Sequence, residues 1–229
     1  MVLVIAHRGA SLAYPENTVA AFREARRLGA DMVELDARRT ADGAVVVRHD
    51  PDLPESGPLF TRRLAELNGE IPSLDEAIDA CEGMAVNVEV KNLPGEPDFD
   101  PTESLTAAVV GVIVRRGLHD RVLVSSFHRP TIHRVRQLDA AVPTAWLTLP
   151  GLDPERAVAT CVEDGHRALH PHHFAVTGEL VDLAHAAGLA VNTWTVDDPG
   201  RMAELIDLGV DGICTNDPAA LRTLIDDPR

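Results

Sequence analysis

An α/β fold, a TIM (β/α)8 barrel with a short insertion after strand two, is the class this sequence predicts. Three observations carry it. Short β-rich runs alternate with longer amphipathic ones eight times along the chain. With 229 residues, 45% of them hydrophobic, the chain can fill one large core. The first strand runs into His7-Arg8-Gly9-Ala10, not into the G-x-G-x-x-G turn that a doubly wound nucleotide-binding sheet would show.

Val2–Ala6 is an apolar run of strand length, and Thr18–Leu28 follows with helical periodicity, Asn17 placed as N-cap and Gly29 beyond its end. Asp31–Asp36 reads as strand two. The alternation then breaks. Residues 42–71 contain Val45-Val46-Val47 and a Pro- and Gly-rich stretch, Pro51 to Pro58, which predict an inserted hairpin and loop over the site end of the barrel. Ser73 caps a helix at Leu74–Cys81, and Ala85–Val90 is strand three. Asn92 to Pro101 is Pro-rich and predicts a second rim loop. Neither irregular segment is long enough for a separate domain, so residues 1–229 read as one domain.

The second half keeps the alternation. Helices are expected at Thr102–Arg115, Arg129–Leu138, Pro154–Glu163, Gly178–Ala187, Pro199–Asp207 and Pro218–Ile225. Between them lie the strands Arg121–Ser125, Thr144–Leu147, Arg167–His170, Ala190–Trp194 and Gly212–Thr215. Gly117, Gly188 and Gly209 stand where helices stop.

A net charge of -15 excludes a protein that takes its affinity from nucleic-acid phosphates and disfavours an anionic membrane surface. Cys81, Cys161 and Cys214 are odd in number and far apart, as expected of reduced thiols in a cytoplasmic protein. No apolar run approaches the roughly 20 residues of a membrane span. Oligomeric state is left open.

Functional candidates sit at the strand ends. Residues two apart share a face of a strand, so Glu34 and Asp36 share one face of strand two, and Asn87, Glu89 and Lys91 share one face of strand three. Val86, Val88 and Val90 take the opposite face and should pack on helices, which turns the polar set into the barrel mouth. Glu34, Asp36 and Glu89 form an oxygen-rich set without cysteine that suits Mg²⁺ or Ca²⁺. The competing reading is salt bridging to Arg8, Arg38 or Lys91.

His7 and His49 flank the acids and suit a hydrolysis that needs two proton transfers. Arg8 is a bidentate donor for an oxyanion, and Lys91 a point charge. Lys91 stands out: of 21 basic residues, 20 are arginine. Phe127 and Trp194 are candidates for an apolar pocket wall. His170, His172 and His173 are expected in a rim loop, and His119, His128, His133, His166 and His185 at the surface or on helices without partners.

The chain resembles the glycerophosphodiester phosphodiesterase family. The stretches that carry the resemblance are Ile5-Ala6-His7-Arg8-Gly9, Pro15-Glu16-Asn17-Thr18, Val33-Glu34-Leu35-Asp36, His49-Asp50-Pro51, Ile71-Pro72-Ser73-Leu74-Asp75-Glu76-Ala77, Asn87-Val88-Glu89-Val90-Lys91, Thr193-Trp194-Thr195-Val196 and Val210-Asp211-Gly212-Ile213-Cys214-Thr215. They are collinear and span nearly the whole chain. The resemblance implies a barrel enzyme of lipid and glycerol metabolism that hydrolyses glycerophosphodiesters to glycerol 3-phosphate and an alcohol with one divalent cation. It implies Glu34, Asp36 and Glu89 as metal ligands, His7 and His49 as acid and base, and Arg8 and Lys91 on the phosphate. It also implies attack by the glycerol hydroxyl through a cyclic phosphate, with direct attack by water as the alternative.

Two departures stand out. The inserted segment is shorter than in many members, which leaves head-group preference open, and Asn216 follows Thr215 where the family often has an acid, a position expected to be structural. Lysophospholipase D-type activity on lysophospholipids would need an apolar groove, for which 3% aromatic residues offer little. A barrel that binds phosphodiesters without turnover is the third reading, opposed by the complete polar set.

Overall fold

The structure, a computed structural model, describes residues 2–227 except 55, 56, 68 and 70. Eight parallel strands close into a barrel: β1 (Leu3–His7), β2 (Met32–Arg39), β6 (Ala85–Val90), β7 (Val122–Ser126), β8 (Thr144–Thr148), β9 (Ala168–Pro171), β10 (Ala190–Thr193) and β11 (Gly212–Thr215). β1 pairs with both β2 and β11, which closes the ring. Helices α1 (Val19–Arg27), α2 (Leu74–Ala80), α3 (Ser104–Arg116), α4 (Arg129–Leu138), α5 (Pro154–Asp164), α6 (Gly178–Ala186), α7 (Pro199–Asp207) and α8 (Pro218–Asp226) connect them. No helix among the described residues is long and apolar enough to cross a membrane.

β2 runs three residues past its expected end, because Ala37, Arg38 and Arg39 pair antiparallel with β3 (Val45–Val47). The expected inserted hairpin is thus an outgrowth of a barrel strand. Beyond it come the short pair β4 (Asp52–Leu53) and β5 (Gly57–Pro58) and two 3₁₀ turns at Leu59–Thr61 and Leu64–Glu66. Residues 55, 56, 68 and 70 of the expected insertion lie outside the described residues.

Apolar faces pack as parity requires: Val86, Val88 and Val90 are fully buried, in one core with Val109 and Ile113 of α3 and Ile78 of α2. Ser73 caps α2 with a full capping box, its hydroxyl and Glu76 bonding reciprocally across the first turn. Asn17 is not the cap of α1. Thr18 accepts from the Ala21 amide instead, and Asn17 adopts a left-handed conformation (φ 58°) that sends its side chain to Asp36.

All three cysteines are free and buried, and burial pushes the Cys81 and Cys161 thiols up to about 12. The surface histidines acquire partners the sequence had not suggested: His119 meets Asp139, His128 meets Glu103 and Thr131, His185 meets Asp211, and His133 meets Asp164. His166 is not at the surface but buried, bonded through Nδ1 to Thr144. His170 lies in β9, where the expected strand Arg167–His170 ends, so it belongs to the strand and not to the rim loop after it, and it is buried beside Asn192.

Burial, outweighing the nearby Asp164 carboxylate, lowers His166 to about 4, and burial lowers His170 to about 3. The unfolded chain therefore takes up these protons first, near pH 6.5. The neutral imidazoles contribute their full stability above about pH 6.5 and lose it as the pH falls toward their folded values. By about pH 5 the loss is roughly 2 kcal/mol per imidazole. Urea unfolding of the protein and of His166→Gln at about pH 7.5 and 5 checks this. The variant should lose roughly 2 kcal/mol less on acidification, and an equal loss in both refutes the assignment.

Candidate active site

The register of three neighbouring strands builds the site. His7 lies opposite Glu34 across β1 and β2, while Glu34 lies opposite Asn87 and Asp36 opposite Glu89 across β2 and β6. Parity then turns Glu34, Asp36 and Glu89 to the same interior, and one oxygen from each falls within 4.8 Å of the others. All three are buried. Glu34 Oε1 and Asp36 Oδ1 have no hydrogen-bond partner. Buried carboxylate oxygens without donors carry a desolvation cost that a hard cation would relieve, so the residues present fit a divalent ion.

The three acids are not equivalent. Burial, reinforced by Asp36 and Glu89, pushes the Glu34 carboxyl well above its ordinary range. Burial also raises Glu89, against the pull of Lys91. For Asp36 burial acts the same way, but Lys91 and Arg8 outweigh it and hold the carboxyl below its ordinary value.

The cations interleave with the acids, as the salt-bridge reading required, except that Arg38 faces elsewhere. Lys91 Nζ lies 2.8 Å from Glu89 Oε1 and 3.4 Å from Asp36 Oδ1, and Arg8 Nε lies 3.1 Å from Asp36 Oδ2. Arg8 also grips Glu16 with Nη1 and sits at φ 56°, a strained conformation for a side-chain-bearing residue. Gly9 follows at φ 85°, where a Cβ would come within 2.7 Å of the Ala21 backbone, so only glycine lets this turn press onto α1.

Arg38 is buried and tethers two loops: Nη1 reaches Glu96 and Asp98 in the expected second rim loop, and Nε donates to the His49 carbonyl at 2.6 Å. His49 is thereby fixed at its backbone, and its Nδ1 bonds to Asp50 at 2.7 Å. His7 Nδ1 donates to Asn216 Oδ1 at 2.7 Å, and its Nε2 stands 4.0 Å from Glu34 Oε2. Burial, then the nearby Arg8 charge, lower His7 below its ordinary value, which keeps it neutral at neutral pH.

These groups open on one cavity of about 230 Å³, lined by His7, Arg8, Glu34, His49, Glu89 and Lys91 together with Phe127, Leu147 and Trp194. The rings of Phe127 and Trp194 meet edge to face at 5.3 Å, and Trp194 Nε1 is tied to the His170 carbonyl. Charged and apolar side chains share the lining. That combination suits a small ligand with an anionic group and a short carbon skeleton.

Sequence reasoning took Asn17 as a helix cap and Asn216 as a structural position, and missed their bonds to Asp36 and His7. Both are polar residues bonded to site side chains, and both follow or precede threonine at an element end, where a cap is the ordinary assignment. A second group, His133, Asp164 and His166, also converges within 4.8 Å. There Arg129 already donates twice to Asp164 Oδ2, so the carboxylate is held by an ion pair.

The model of the glycerophosphoryl diester phosphodiesterase family matches residues 7–59 and 53–220. A glycerophosphodiester phosphodiesterase of Caldanaerobacter subterraneus is 35% identical over 97% of both chains. A solved structure from Silicibacter pomeroyi superimposes with a TM-score of 0.88 at 29% identity, covering 99% of this chain and 94% of its own. A phosphodiesterase of Oleispira antarctica, solved with the product sn-glycerol-3-phosphate, gives a TM-score of 0.85 at 28% identity over 97% of this chain and 96% of its own. With most of its length matched by the family model and its barrel shared with solved members, the chain belongs to the glycerophosphoryl diester phosphodiesterase family of enzymes.

Proposed function

We propose that this enzyme hydrolyses glycerophosphodiesters to glycerol 3-phosphate and an alcohol, with one divalent cation, Mg²⁺ or Ca²⁺, held by Glu34, Asp36 and Glu89. The observation that carries the reading is the pair of donorless buried oxygens on Glu34 and Asp36, set beside two imidazoles on one cavity. A bound cation would neutralise charge developing on the phosphoryl oxygens. Lys91 and Arg8 add fixed positive charge on the phosphate side, and Phe127 and Trp194 shield the carbon skeleton from water. The buried free thiols support a reducing, cytoplasmic setting.

The neutral His7 takes the proton from the attacking glycerol hydroxyl as its oxygen bonds to phosphorus, and His49 supplies a proton to the departing alcohol as the other P–O bond breaks. Water then opens the resulting cyclic phosphate: His49 takes the proton of the water, His7 returns its proton to the leaving glycerol oxygen, and glycerol 3-phosphate is released with both imidazoles restored. Each transfer contributes roughly 10²–10⁴-fold, so His7→Ala and His49→Ala should each lower kcat by about that factor. Release of glycerol 3-phosphate from glycerophosphocholine, assayed with and without EDTA, checks both parts. Turnover that survives complete chelation refutes the metal, and turnover unchanged in both variants refutes the proton transfers. Lysophosphatidylcholine hydrolysed as fast as the deacylated diester would transfer the activity to lysophospholipids.

A further inference from the structure

His7 is not held by a carboxylate. Its Nδ1 donates to the amide oxygen of Asn216 at 2.7 Å, and the hydroxyl of Ser11 shares its one proton between that oxygen at 2.8 Å and the His7 carbonyl at 2.7 Å. An asparagine amide could equally present its NH₂ group, and the direction it takes decides which nitrogen of the imidazole carries the proton. Here the direction is fixed from behind. Asn216 Nδ2 donates to Asp197 Oδ2 at 2.6 Å, and the Asn216 backbone amide donates to Asp197 Oδ1 at 2.8 Å. Asp197 is itself anchored by the Thr215 hydroxyl at 3.0 Å. A carboxylate accepts only, so the NH₂ must face Asp197 and the carbonyl must face His7.

We propose that Asn216, locked by Asp197, is the positioning residue that fixes His7 as its Nδ1–H tautomer and leaves Nε2 unprotonated toward the cavity. The proposal rests on the reading of His7 as the proton acceptor. It explains why an amide serves at a position where an acid could stand. An acid at 216 would bring two carboxylates together at the Asp197 contact, so the two positions must change as a pair. The exchange Asn216→Asp with Asp197→Asn keeps every bond. The carboxylate then at position 216 accepts from His7 and from the amide then at position 197, whose oxygen accepts from Thr215 and from the backbone N–H of position 216.

Nitrogen-15 NMR of histidine-labelled protein at about pH 8, with His7→Gln to assign the resonances, reads the tautomer directly. In the native enzyme Nδ1 should show the protonated signal and Nε2 the unprotonated one. In Asn216→Ala the Nε2–H form should become dominant, and kcat on glycerophosphocholine should drop roughly 10- to 100-fold with KM changed by less than about threefold. Asp197→Ala, which frees the amide to turn, should move the tautomer in the same direction. It serves where Asn216→Ala does not fold. The exchange variant should recover the native tautomer and kcat to within about tenfold.

A native tautomer that persists in both Asn216→Ala and Asp197→Ala overturns the proposal, whatever the kinetics. A switched tautomer with unaltered kcat overturns instead the reading of His7 as the proton acceptor.

Discussion

Glu34→Gln should raise the stability of the metal-free enzyme, and Asp36→Asn should lower it sharply, although the two acids sit two residues apart on the same strand face. Glu34 is buried, with an oxygen that has no donor, and burial together with its neighbouring acids pushes its carboxyl well above the ordinary range. A group with a raised folded value is most favourable below its unfolded value near 4.5, and it loses that advantage as the pH climbs through the folded one. At about pH 8 its charge works against folding, and a neutral amide of the same shape removes that burden, raising Tm by a few degrees, about 2–4 °C per kcal/mol in a chain of this length.

Asp36 is the opposite case. Arg8 lies 3.1 Å and Lys91 3.4 Å from its oxygens, and Asn17 donates to it at 2.8 Å. Neutralising it leaves the buried Lys91 and the partly buried Arg8 short of counter-charge, a loss of about 3–5 kcal/mol and of order 10 °C in Tm. Mg²⁺ or Ca²⁺ should raise Tm in the native enzyme, and either substitution should erase that rise. Thermal melts of the three proteins with EDTA and then with each ion make the check. Shifts of the same sign in both metal-free variants refute this division of roles.

The division was only half visible in the sequence. Period-two parity placed Glu34 and Asp36 on one face and Glu89 with Lys91 on another, and parallel pairing brought the two faces together because neighbouring strands in this fold are neighbours in sequence. What parity could not supply was which acid would meet the cations. That depends on Arg8 bending back at a positive φ and on Asn17 leaving its helix, both set by tertiary contacts at a turn.

The same limit hid Asn216, whose partner His7 lies 209 residues away across the closure of the barrel. His166 was hidden differently. It stands between α5 and β9, in a connection that local pattern marks as exposed, and the neighbouring α4 covers it. The overrun of β2 into the β3 hairpin was implicit in Ala37 to Arg39. A charged tripeptide reads as a strand end unless the antiparallel partner is known.

Lys91 is where the composition first pointed, and its replacement has a large expected effect on both turnover and stability. The ammonium is nearly buried, 6% exposed, and bridges Glu89 at 2.8 Å and Asp36 at 3.4 Å. Burial acts against its charge, but the Glu89 and Asp36 carboxylates hold its value above the ordinary one, so it stays charged. An ammonium has three donors; one goes to Glu89, while the charge faces Asp36 Oδ1 without a hydrogen bond. Donor capacity is left for an oxyanion in the cavity that Lys91 lines. Lys91→Met removes both functions: Glu89 loses its ion-pair partner and Asp36 keeps only Arg8, and kcat should drop roughly 10²–10³-fold, the usual loss when one preorganised charge is withdrawn from a developing oxyanion. Lys91→Arg separates charge from shape. It keeps the charge, but the planar guanidinium is too large for a close-packed interior and cannot aim three donors from one atom. We expect kcat to drop at least about tenfold, with a destabilisation of roughly 1–3 kcal/mol that added Mg²⁺ does not repair. Steady-state kinetics and melts of the two variants decide it: a Lys91→Arg enzyme with native kcat would mean that any buried cation suffices there, and that the lone lysine of this arginine-rich chain contributes nothing by its shape.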